Sequence, residues 1–214
     1  MVNKSNPKLQ KTLKFYFAAK DVVVSSGYHH EIIWQDKISL NNMSLKEFFS
    51  EYVWVVLSSG MKETVVRKKF YELSVLFGFW SDPFIICQTS ERYRKEALLI
   101  FNNPGKIKAI FWMADFLTRN SIQGELDLIK EQGVEYLQSY PFLGPATSYH
   151  FAKNIGVLVS KPDRHLVRIS DFLGYSSPHL LCKQISSILG EKESIVDLIL
   201  WRYATLKKNY LTHS

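Results

Sequence analysis

From Ser44 to Lys207 apolar residues recur three and four positions apart, and what interrupts them is helix-ending residues, not strand-like alternation. Ser44-Leu45-Lys46-Glu47 carries the serine and the later acid of a capping box, and it opens the apolar run Phe48, Phe49, Tyr52, Val53, Val56 and Leu57. The same spacing predicts helices over Thr64–Phe77 with Gly78 past the end, a first turn beginning at Pro83, and helices over Glu91–Phe101, Lys106–Leu117 and Leu126–Leu137. Pro145–Asn154 has a proline at its start and Gly156 just beyond its end; Arg164–Leu173, Pro178–Leu189 and Ser194–Lys207 complete the series. The first forty residues are ambiguous: Phe15–Val24 suits helix or strand, and Tyr28-His29-His30 reads as loop. The expected fold class is all-α with about nine or ten helices.

The chain has 214 residues, 46% of them apolar, which is ample for one large domain or two interlocked small ones. Lys and Arg number 27 against 20 Asp and Glu, and the resulting +7 suits a polyanionic partner, nucleic acid or an anionic surface. Many ordinary soluble proteins carry such a surplus too. No apolar run approaches a membrane span, and the lysine-dotted start (Lys4, Lys8, Lys11, Lys14) lacks a signal peptide's apolar stretch. An intracellular protein with no membrane partner is therefore expected. Cys87 and Cys182 form no Cys-x-x-Cys pair and imply neither a disulfide framework nor a zinc site.

The chemistry is concentrated in residues 140–174, YPFLGPATSYHFAKNIGVLVSKPDRHLVRISDFLG. Pro141-Phe142-Leu143-Gly144-Pro145 is a tight turn running into a helix, and such a helix start directs backbone N–H groups and a positive dipole end toward a phosphate. An aspartate close to a phosphate anchored there can act on the attached sugar. Asp163 opens the segment that follows, with His165, Leu166, Arg168 and Ile169 behind it. These residues resemble the helix-hairpin-helix and Gly/Pro-Asp motif of the DNA glycosylase superfamily, which includes endonuclease III, adenine glycosylase, 8-oxoguanine glycosylase and the alkylpurine glycosylases. The family pattern reads roughly L-P-G-(V/I)-G-x-(K/x)-(T/V)-A, then a spacer, then D-x-H-(I/V/L)-x-R-(V/I). Leu143-Gly144-Pro145-Ala146-Thr147-Ser148 fits the first part, and Asp163, His165, Leu166, Arg168 and Ile169 fit the second.

The resemblance implies a six-helix barrel domain over residues 45–155, with the hairpin at about 126–155. A second helical domain would be built from residues 1–44 and 156–214, the hairpin lying at the junction. The segment Tyr52–Gly60 looks like the family's first barrel helix, leading to a wedge that fills the gap left by an extracted base. Gly60 and Met61 stand where the family often has Gln or Asn. The family's four-cysteine iron–sulfur cluster cannot be built from two cysteines, so the implied branch has no cluster.

Asp163 is the implied catalytic acid. Its position also suits an N-cap, and capping and catalysis are compatible. A fixed carboxylate stabilises the cationic sugar that forms as the base leaves, and can orient or deprotonate the attacking water. Bifunctional relatives place a nucleophilic lysine in the hairpin helix; Ala146, seventeen residues before Asp163, holds that position here, so hydrolysis by water is expected. Lys153 turns away from the Ala146–His150 face, and it and Lys161 are expected to contact phosphate or to be solvated. The expected base pocket comprises His150 on the hairpin helix and, in the last helix, Asp197 and Trp201, whose i, i+4 spacing sets an acceptor beside a flat ring. The bland readings are a satisfied histidine, an acid in a helix's first turns and a core tryptophan.

Leu143, Gly144, Pro145, Ala146, Thr147 and His165 are the expected phosphate contacts, with the Thr147 hydroxyl as an addition. The carbonyls of Gln138, Tyr140 and Leu143 match hairpin positions that hold a structural Na+ or K+ in relatives. Arg67-Lys68-Lys69, Arg92, Arg94, Lys95, Lys106 and Lys108 would add attraction to DNA, or form ordinary solvated faces. The implied protein is a monomeric, monofunctional glycosylase acting on double-stranded DNA. The alternatives are a catalytically silent DNA-binding relative, a bifunctional lyase with a relocated lysine, and an all-α interaction protein that does not bind DNA.

Overall fold

The computed structural model describes residues 6–160 and 163–211, and among them every regular element is a helix. The ambiguous amino-terminal stretch is helical too. The Asn6 side chain accepts the N–H groups of Lys8 and Leu9, and Pro7 takes the first turn of α1 (Pro7–Val23). Leu9, Phe15, Tyr16, Ala19 and Val23 form its buried stripe. A π-helical turn over Val24–Tyr28, kinked at Gly27 where φ is 88°, redirects the chain into α2 (His29–Lys37). His29 and His30 thus open a helix where the sequence reads as loop; Gly27 makes the bend.

Residues 39–155 form one unit. Its central helix, α3 (Leu45–Ser58), starts on the capping box: Ser44 Oγ accepts the Glu47 N–H, and the Glu47 carboxylate accepts the Ser44 N–H. Phe48, Phe49, Tyr52, Val53, Val55, Val56 and Leu57 are all fully buried, so protein surrounds most of this helix. Around it run α4 (Glu63–Leu76), α5 (Pro83–Gln88), α6 (Ser90–Ile100), α7 (Pro104–Arg119), α8 (Ile122–Gln132), α9 (Val134–Leu137) and α10 (Pro145–Asn154). α3 packs on α4, α7, α10 and the turn Gly78–Trp80. The apolar run 126–137, expected as one helix, is divided because Gly133 takes φ 74° and ψ −157° and ends α8. That break and the two amino-terminal helices bring the α-helical segments to thirteen among the described residues, more than the periodicity implies.

The two chain ends, residues 1–38 and 156–214, form the other unit. It adds α11 (Arg164–Phe172), α12 (Pro178–Leu189) and α13 (Glu193–Leu206), and α13 lies against α1, α2, α11 and α12. Phe15, Tyr16, Leu166, Ile169, Leu181, Ile185, Val196, Ile199, Leu200 and Tyr203 share its core. Each such side chain stabilises by roughly 1.5–3 kcal/mol on burial, which is what holds four helices around α13. Among the described residues no helix is long and apolar enough to cross a membrane.

Candidate nucleic-acid turn and acid loop

The turn between α9 and α10 is tied down from inside its own unit. The Leu143 N–H bonds the Tyr140 carbonyl at 3.1 Å, and the Tyr52 hydroxyl donates to the Pro141 carbonyl at 2.9 Å. Tyr140 is buried and donates its hydroxyl to Glu125, which Tyr136 also bonds. Burial raises the Glu125 pKa; burial and then the Glu125 bond push Tyr136 up to about 12. Phe142 takes left-handed backbone, φ 65°. Its ring lies close over Gly105, where a Cβ would come within 3.1 Å of the Phe142 Cζ.

Beyond this scaffold, Gly144, Pro145 and Ala146 are exposed and Leu143 is buried. Pro145 has no N–H, so the amides the turn offers outward are those around it, at Gly144, Ala146 and Thr147. A Cβ built on Gly144 meets nothing within 4 Å, so nothing in the turn itself fills the space a side chain would take. The Thr147 hydroxyl, expected to reach a phosphate, donates within the turn instead, to the Phe142 carbonyl at 2.9 Å and the Gly144 carbonyl at 3.2 Å. Its one hydrogen is committed to shaping the loop. Of the three carbonyls matched to a cation site, that of Tyr140 already accepts the Leu143 N–H and keeps one lone pair. His150 lies half-buried on α10.

In the other unit Asp163 is the N-cap of α11. Its Oδ1 accepts the N–H groups of His165 at 2.8 Å and Leu166 at 3.0 Å, both bonds falling on one oxygen. Leu166 and Ile169 anchor the helix in the core, while Arg164 and Arg168 are exposed. His165 Nδ1 lies 3.0 Å from the Tyr210 hydroxyl. Burial, aided by Arg164 and Arg168 against Asp163, lowers the His165 pKa. Asp197 and Trp201 lie on one face of α13, but Asp197 is 1% exposed and the Arg202 guanidinium sits 4.8 Å over the Trp201 ring. Arg202 also stacks on Tyr28 at 4.4 Å and bonds both carboxylate oxygens of Glu31. His150 belongs to the hairpin unit, Asp197 and Trp201 to the other.

Most of the basic groups are paired on exposed helix faces. Arg67 pairs with Glu63, Lys68 with Glu72, Arg92 with Glu96 and Lys95 with Glu91, each one helical turn apart, and Lys69 bonds the Ile100 carbonyl. Lys106 is 5% exposed and its Nζ donates to the carbonyls of Leu57 at 2.8 Å and Ser59 at 2.6 Å, closing the end of α3 before Gly60 and Met61. Burial lowers its pKa. Lys153, expected to be solvated or on a phosphate, is 6% exposed. Lys161, the other nearby lysine, and Pro162 fall outside the described residues, as does Lys4.

Spacing along the sequence did not reveal Tyr210, Glu31, Arg202 or Glu51, nor the buried role of Lys106, because their partners are distant in the chain. Glu51 of α3 accepts the Asn154 amide of α10 at 2.8 Å, and burial pushes its pKa up to about 7. Comparison of the chain with family models, with curated proteins and with solved structures gives no match.

Proposed function

We propose that this protein is a monofunctional DNA glycosylase of the helix-hairpin-helix, Gly/Pro-Asp kind, which takes a modified base out of the duplex and hydrolyses its N-glycosidic bond. The observation that carries the reading is the Asp163 carboxylate, fixed by two backbone N–H groups at the head of α11. Oδ1 is held; Oδ2, which makes neither of those bonds, is the oxygen assigned to the cationic sugar and the attacking water. Preorganisation of this kind costs nothing at the moment of reaction. Phosphate binding is assigned to the amides of Gly144, Ala146 and Thr147 at the start of α10, and the side-chain-free Gly144 leaves room for a DNA backbone. Ala146 supplies no amine, so the product is an abasic site in an intact strand.

A second reading, a DNA-binding relative that excises nothing, is favoured by the burial of Asp197 and by Arg202 against Trp201. Duplexes carrying a panel of modified bases, scored for abasic sites, separate the two. Excision by the natural protein that falls by about two orders of magnitude in Asp163→Asn, with DNA binding kept, supports the glycosylase. Excision that survives the substitution removes Asp163 from the chemistry, and binding with no abasic product from any duplex leaves the second reading.

A further inference from the structure

The histidine of the acid loop is fixed by a residue from the far end of the chain. Tyr210 follows α13, is 6% exposed, and sets its hydroxyl 3.0 Å from His165 Nδ1, the two rings meeting edge to face with centroids 5.5 Å apart. We propose that Tyr210 is a positioning residue that holds His165 as the neutral tautomer protonated at Nε2, a hydrogen-bond donor beside Asp163.

The imidazole has three states to choose from. If Nδ1 carries the hydrogen, it points at the phenol oxygen and the buried phenol hydrogen loses its acceptor. In the imidazolium both nitrogens carry hydrogens, with the same result and a half-buried charge in addition. Only with Nδ1 bare does the phenol donate to it, which leaves the hydrogen on Nε2. The charged groups acting on the ring are Asp163, which favours the cation, and Arg164 and Arg168, which oppose it; burial opposes it most. Tyr210, burial and the two arginines therefore act in the same direction, against Asp163, toward an uncharged donor at neutral pH.

This step rests on the glycosylase reading for its use. An Nε2–H donor can hold an oxygen of the DNA backbone without setting a positive charge beside Asp163. The carboxylate then keeps its full negative charge for the sugar.

Side-chain nitrogen NMR on the full chain reads the tautomer directly, with the His165 signals identified by their loss in His165→Gln. At pH 7 the natural protein is expected to show Nδ1 bare and Nε2 protonated, and Tyr210→Phe, which keeps the ring, to show a mixture. In duplex-DNA binding Tyr210→Phe is expected to lose affinity on the order of tenfold, and to lose none in the His165→Gln background, where the amide already supplies a donor in place of Nε2. The proposal is overturned by an Nδ1-protonated or cationic ring in the natural protein, by an unchanged tautomer in Tyr210→Phe, or by an equal loss in both backgrounds. The tautomer measurement needs no substrate. A protein that excises nothing but shows the expected spectra overturns the glycosylase reading and keeps Tyr210 in its role.

Discussion

Phe142 holds left-handed backbone at φ 65°, while Gly144, two residues along, sits at φ −83° and ψ −175°, where any residue is at ease. The turn therefore has its glycine where the backbone does not need one, and a phenylalanine where it does. Sterics inside the unit do not explain Gly144 either, since a Cβ there meets nothing within 4 Å. The open space suits the close approach of a DNA backbone proposed for these amides.

Gly144→Val is accordingly expected to fold and melt like the natural protein, yet to bind duplex DNA roughly tenfold or more weakly, the worth of one or two hydrogen bonds to a charged phosphate. The loss should be the same for every sequence, because phosphate contacts carry no base information. Affinity that survives the substitution would place the phosphate elsewhere.

At Phe142 the comparison is between glycine and alanine. A left-handed backbone costs an L-residue roughly 1–2 kcal/mol that glycine does not pay. Phe142→Gly should then be more stable to urea than Phe142→Ala by about 1 kcal/mol, although both lose the ring packed over Gly105. An alanine variant as stable as the glycine one would mean the turn relaxes out of this conformation.

Local signals were legible in the sequence and distant ones were not. The capping box of α3 and the proline-led helices α10 and α12 rest on residues a few positions apart, and the structure has them where the spacing predicts. Gly133 is not legible because the apolar period continues across it, and the periodicity does not register a single backbone reversal. Lys106 and Lys153 read as surface lysines because burial of a lysine is decided by what packs over it; for Lys106 that is the end of α3, forty-nine residues back. The same holds for Tyr210 beside His165 and Glu31 against Arg202, pairs separated by 45 and 171 residues. The acid motif pointed to Asp163 and His165, but not to the tyrosine that lies beside that ring.

Glu51 should make stability depend on pH near neutrality. Burial raises its pKa from 4.5 to about 7, with the Asn154 amide pulling the other way and Glu47 adding to the rise. A carboxyl raised on folding binds more protons in the native state, so its contribution is fully present below pH 4.5 and is lost as pH rises through 7. The loss amounts to about 3 kcal/mol across that window. Glu51→Gln keeps an acceptor for Asn154 and removes the titration. Urea midpoints measured from pH 5 to about 8 should fall more steeply for the natural protein than for this variant. Parallel curves would show that Glu51 stays ionised throughout.

Base choice is the sharpest test of α13. Arg202 lies over the Trp201 ring, so an extracted base would have to stack on the other face. Trp201→Ala should therefore slow excision by the loss of a stacking surface worth about 1–3 kcal/mol, with little effect on the binding of undamaged DNA. Asp197, buried at 1% exposure beside it on the helix, is an acceptor only; Asp197→Asn keeps the shape and adds donors, so it should reorder the preferred lesions more than it changes the overall rate. If instead Trp201→Ala lowers the melting temperature and leaves excision and its ranking intact, the ring serves to support Arg202 and its pair with Glu31. The base would then be read from the hairpin unit, where Trp112, 37% exposed and stacked 5.2 Å from Phe116, is the next aromatic to replace.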